Sequence, residues 1–109
     1  MTEKLHLHGE GVTKLSLSDD VLTLGLERYI EKTNGYEACS ISFFGARNLK
    51  IGHNVASSIQ QPTDEGEILR FKDENGRANL LIEWLDRRNN KAKITKLYEF
   101  EFDRFEIES

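Results

Sequence analysis

The stretch from Glu67 to Asp86 constrains the fold of this chain more than any other. It contains two extended segments, Glu67–Lys72 and Arg77–Asp86, separated by Asp73-Glu74-Asn75-Gly76. Asn-Gly suits the paired positive φ angles of a tight hairpin turn, so the two segments are expected to run antiparallel. In the second segment Leu80, Ile82 and Trp84 fall on one face and Leu81 and Leu85 on the other. A strand that is apolar on both faces belongs inside a sheet rather than at its edge.

The same alternation recurs along the chain. Tyr36–Phe44 puts Cys39, Ile41 and Phe43 on one face, and Asn48–Ile51 reads as a short strand. From Lys91 to Glu108, Tyr98, Phe100 and Phe102 point one way while Glu99, Glu101 and Asp103 point the other. Phe105 and Ile107 then resume on odd positions, and a β-bulge near Asp103-Arg104 would absorb the slip. Lys4–His8 and Thr13–Leu17 predict a hairpin around Gly9-Glu10-Gly11. Gly52–Gly66 shows no sustained period; within it Asn54 could cap one helical turn before Pro62.

Residues 18–33 carry two incompatible patterns. Ser18 suits a helix N-cap, Asp19 and Asp20 the first turn, Lys32 the last, and Gly35 a stop just beyond. Leu22, Leu26, Tyr29 and Ile30 then share a face at helical spacing. As a strand, Leu22, Leu24 and Leu26 alternate with Thr23, Gly25 and Glu27, and Asn34-Gly35 becomes a turn. Gly25 costs a helix roughly 1 kcal/mol relative to Ala, but Arg28-Tyr29-Ile30-Glu31-Lys32 breaks the alternation. The helix is the expectation. The chain thus reads as one α+β domain over 1–109, a mostly antiparallel sheet of about six or seven strands with one helix packed near residues 18–33. An all-β meander or sandwich is the alternative.

Charge narrows the function. With 15 Lys+Arg against 19 Asp+Glu, the net charge is −4, which argues against a general nucleic-acid binder. Arg87, Arg88, Lys91, Lys93 and Lys96 form a run without an acid, the best candidate for a phosphate or nucleic-acid contact. Glu99, Glu101, Asp103, Glu106 and Glu108 follow, with Arg104 as the one base between them. The longest aliphatic run, Leu80-Leu81-Ile82, is far short of the roughly 18–20 residues of a membrane span. A single cysteine, Cys39, and a start without an apolar signal core lead to the expectation of a reducing, cytoplasmic setting.

Chemistry-bearing patterns are sparse. His6 and His8 share a strand face as two metal ligands would, but a solvated face explains them as well, and no metal or cofactor is called for. Cys39 sits in an apolar strand, where a thiol acts as a small hydrophobe. His53, Ser57, Ser58 and Asp64 are the residue types of hydrolytic chemistry without the spacing of any hydrolytic motif. These features favour a binding module over an enzyme. The expected function is that of a small acidic protein acting as an inhibitor, antitoxin, immunity protein or phage-encoded antagonist of a basic partner surface. The residues expected to meet that partner are Glu99, Glu101, Asp103 and Glu106, with His53, Asn54, Gln60 and Asp64 from the polar loop. The competing expectation is a small ligand-binding protein or enzyme with a pocket near the 53–64 loop.

Overall fold

The computed structural model describes Leu7 and residues 9–30, 32–90 and 92–108. These residues form nine strands: β1 (Gly11–Ser18), β2 (Val21–Ile30), β3 (Gly35–Phe44), β4 (Arg47–Ile51), β5 (Asn54–Val55), β6 (Gly66–Glu74), β7 (Arg77–Asp86), β8 (Ala92–Glu101) and β9 (Arg104–Glu108). All are antiparallel, in the order β5-β4-β8-β7-β6-β1-β2-β3-β9. No described residue is helical, so the α+β expectation is overturned and the all-β alternative holds.

The segment expected as a helix is β2. Leu22, Leu24 and Leu26 are all buried, and only a period of two brings three such residues to one face. A helix would have turned Leu24 away from Leu22 and Leu26. Ser18 pairs with Val21, so Asp19 and Asp20, at φ 49° and 64°, are the two loop residues of a hairpin and not a first helical turn. β2 pairs with β3 over its whole length, from Val21↔Phe44 to Ile30↔Gly35. That ladder outweighs the helix-like charges at the segment ends.

The β6–β7 hairpin forms as its sequence requires, with Asn75 and Gly76 at φ 52° and 75° between the paired Glu74 and Arg77. β7 lies between β6 and β8, an interior position. The expected helical turn after Asn54 is instead the two-residue strand β5 against β4. The expected hairpin of Lys4–His8 with Thr13–Leu17 falls largely outside the described residues; β1 finds its neighbours in β2 and β6. His6 and His8 also lie outside the described residues.

The sheet closes on itself. β4 continues β3 after Gly45-Ala46, and β9 continues β8 after Phe102-Asp103. β4 pairs with β8 while β3 pairs with β9, so two long bent ribbons run side by side around a shared corner. Pairing therefore returns to its start through six ribbons. Backbone bonds clasp the corner: Asp103 N donates to Phe44 O, Ala46 N to Asp20 O and Phe102 N to Gly76 O, each at 2.8 Å. The register slip expected as a bulge is this corner.

Inside, Trp84, Tyr98, Phe43, Leu80, Ile82 and Ile68 are almost wholly enclosed. Phe43 meets Phe100 and Phe102 edge-on at 5.2 and 5.0 Å between ring centres. Trp84 Nε1 donates to the Tyr98 hydroxyl at 3.0 Å, satisfying the indole proton without water.

The weakest closure is between β1 and β6, which pair only at Gly11↔Glu67 and Val12↔Gly66. Beyond that point the Gln61 side chain stands in for a strand. Its Oε1 accepts from Leu15 N at 2.9 Å, and its Nε2 donates to Thr13 O at 3.1 Å and Thr63 O at 2.6 Å. One amide thus copies the donor and acceptor of a peptide group along the open edge of β1.

Candidate functional site: a charged groove on the outer face

Pairing register fixes the outward lattice of the β4-β8-β7-β6 half. One row across the strands reads Lys50, Glu99, Asn79, Lys72; the next along β8 and β7 places Glu101 beside Arg77, which faces Glu74 on β6. Val55 extends the first row, since it pairs with Lys50. These side chains point away from the core because their neighbours Leu49, Ala78, Leu80 and Phe100 point into it. Together they line an open groove of about 1190 Å³. Val55 lies on its lip with 85% of its surface exposed.

The groove holds two of the expected contact residues. Glu99 lies 3.3 Å from His53 Nδ1, and Glu101 accepts from Asn48 Nδ2 at 2.8 Å. His53 itself, at φ 72°, is exposed in the turn between β4 and β5, and Asn54 begins β5 beside it. His53 thus stands against Glu99, with Asn54 next to it in the chain and Glu101 two residues along β8.

The other four part company with them. Asp103 sits on the corner, where its Oδ1 accepts from Arg47 Nη1 at 2.9 Å while the same nitrogen reaches Gly45 O at 2.7 Å. Glu106 is carried past the corner on β9 and pairs with Arg104 at 2.7 Å, whose guanidinium lies 4.1 Å over the Phe44 ring. Gln60 is exposed in the loop, next to the Gln61 that joins the sheet edge. Asp64 is exposed near Arg87, whose charge it supports. The bend thus divides an acidic stripe that looked continuous in the sequence.

The stripe is also less acidic in place than in sequence. Cross-strand neighbours of Glu99 and Glu101 include Lys50, Arg47 and Arg77. Arg70 and Lys72 complete the basic side of the groove, with Arg70 Nη2 donating to Asn79 Oδ1 at 3.0 Å. None of Lys50, Arg70, Lys72 and Arg77 has a carboxylate within ion-pair distance among the described residues.

Polar loop residues serve the fold as well as the surface. Ala56 and Ile59 pack on the core, and Ala56 N donates to Leu49 O at 2.9 Å. At the loop's end Glu65 receives two bonds from Arg87, at 2.6 and 2.9 Å. The hydrogen bond from Arg87 holds the Glu65 carboxyl below the usual carboxylate range. Of the expected basic run, Arg87 and Arg88 follow β7, Lys93 and Lys96 lie on β8 with Lys93 3.5 Å from Glu83, and Lys91 lies outside the described residues.

Sequence reasoning missed Arg70, Lys72, Arg77 and Asn79, which sit on strands read only for their apolar faces. It also missed Gln61. The signal for the first four was the alternation itself: Arg70 and Lys72 flank Phe71. Nothing in the sequence marked Gln61, because the edge it completes exists only after β1 and β6 diverge.

Among the described residues, no three His, Cys, Asp or Glu side chains converge as metal ligands, and no helix is long and apolar enough to cross a membrane. No protein-family model, curated protein or solved structure matches the chain.

Proposed function

We propose that the chain is a small protein-binding module of the inhibitor, antitoxin, immunity or phage-antagonist kind, and that the outer groove takes the partner. Glu99 and Glu101 meet basic side chains of that partner. The observation that carries this reading is an apolar Val55 exposed at the lip of a groove whose floor presents outward-facing carboxylates. A rigid closed sheet offers such a surface with little ordering cost, and charge at its rim raises the rate of encounter more than the final affinity.

The test is affinity capture from host lysate with the wild-type chain and with Glu99→Gln/Glu101→Gln, at low and moderate salt. A single near-stoichiometric protein held by the wild type, weakened by salt and lost with the double variant supports the reading. Equal capture by both chains, or no capture by the wild type at either salt, refutes it.

A further inference from the structure

The opposite side of the groove carries chemistry that the acidic edge does not use. Lys72 and Asn79 face each other directly across β6 and β7, and Arg70 precedes Lys72 on the same face. Arg70 spends one donor on Asn79 Oδ1, which fixes the amide and leaves its two Nδ2 hydrogens without an acceptor among the described residues. An arginine fork, an ammonium and an amide N–H₂ therefore stand together with donors to spare. Of the neighbouring carboxylates, Glu99 lies against His53 on the far side of its strand, and Glu74 stands opposite Arg77 in the ladder without an ion pair to Arg70 or Lys72 among the described residues.

We propose that Arg70, Lys72 and Asn79 form a carboxylate-binding subsite for an acidic side chain of the partner protein. The proposal rests on the groove being the binding face and specifies what the partner must carry. β8 and β6 are two strand spacings apart, so Glu99 and Lys72 are separated by about 10 Å across the sheet. The partner presents a base and an acid at that separation, the base to Glu99 and Glu101 and the acid to this subsite. A uniformly basic surface would place a cation against Arg70 and Lys72 and be rejected, which gives selectivity as well as attraction.

The experiment is a ¹⁵N NMR titration at low ionic strength with two capped peptides, Ac-Gly-Glu-Glu-Gly-NH₂ and Ac-Gly-Lys-Lys-Gly-NH₂, and with inorganic phosphate. The glutamate peptide is expected to shift Arg70, Lys72 and Asn79 resonances saturably. Arg70→Gln/Lys72→Gln should weaken it at least about tenfold, the loss expected when charge-assisted bonds are removed. Lys93→Gln, outside the groove, should leave it unchanged. Both Arg70 and Lys72 are exposed, and the dispersion of the variant spectrum reports that the fold is kept. No saturable shift, or shifts shared equally with Arg87, Lys93 and Arg104 or reproduced in full by phosphate, overturns the subsite. The lysine peptide is the separate control: if it fails to move Glu99 and Glu101 while the glutamate peptide binds, the acidic-edge reading falls and the subsite stands.

Discussion

Trp84 and Tyr98 show what a single polar contact does in a closed apolar interior. Tyr98→Phe removes the acceptor of a buried indole N–H and should cost about 1–3 kcal/mol in urea unfolding, more than the loss of an exposed hydroxyl. Burial also pushes the Tyr98 phenol above its ordinary range, partly offset by the Trp84 bond. Above about pH 10 the unfolded chain releases that proton while the folded chain keeps it, so stability falls as pH rises. Unfolding measured from pH 9 to 11 should steepen in the wild type relative to Tyr98→Phe; identical slopes would contradict this. Gln61 is the second residue of consequence. Gln61→Ala should strand the Leu15 N–H and cost about 1–3 kcal/mol, with faster hydrogen exchange at Leu15. Gln61→Glu keeps the acceptor for Leu15 but loses both donations, so exchange at Leu15 should change less than stability does.

At the scale of elements, most strands could be read directly from alternation, and the Asn75-Gly76 turn from two residues. β2 could not, because Ser18, Asp19, Asp20 and Lys32 satisfy helix ends and hairpin turns equally well. What decides is the ladder to β3, a partner that the local sequence does not reveal. Leu24→Ala discriminates between the two structures. As a fully enclosed inward residue it should cost about 2–5 kcal/mol by urea unfolding, whereas a solvent-facing helix position would lose little. The corner was legible only as a slip in register. Gly45 at φ +73° explains why it turns there: a residue with a Cβ would be strained in the left-handed region, and its Cβ would displace the Asp103 carboxylate. Gly45→Ala should destabilise by roughly 1–2 kcal/mol from the left-handed backbone and loosen the Asp103–Arg47 bond, read as a lowered midpoint in thermal unfolding.

For the whole molecule, the arrangement of charge matters more than its sum. Five acids and one base, Arg104, between Glu99 and Glu108 account in sequence for the net −4, yet the fold parts the acids. Glu99 and Glu101 enter the groove, Asp103 locks the corner, and Glu106 goes to the edge strand with Arg104. Of the residues lining the groove, the sequence reading named Glu99 and Glu101, which keep their spacing because they share one strand. The cations that complete the groove come from β4, β6 and β7, and only pairing register brings them beside β8. Long-range steering should depend on the surviving acidic edge, because exposed charges are screened over about 8–10 Å at physiological salt. The decisive measurement is the association rate of the captured partner with the wild type and with Glu99→Gln/Glu101→Gln across a series of salt concentrations. Binding through the groove predicts a wild-type rate that falls with salt and a variant rate that is slower and flatter. The same rate and the same salt slope for both chains would contradict it.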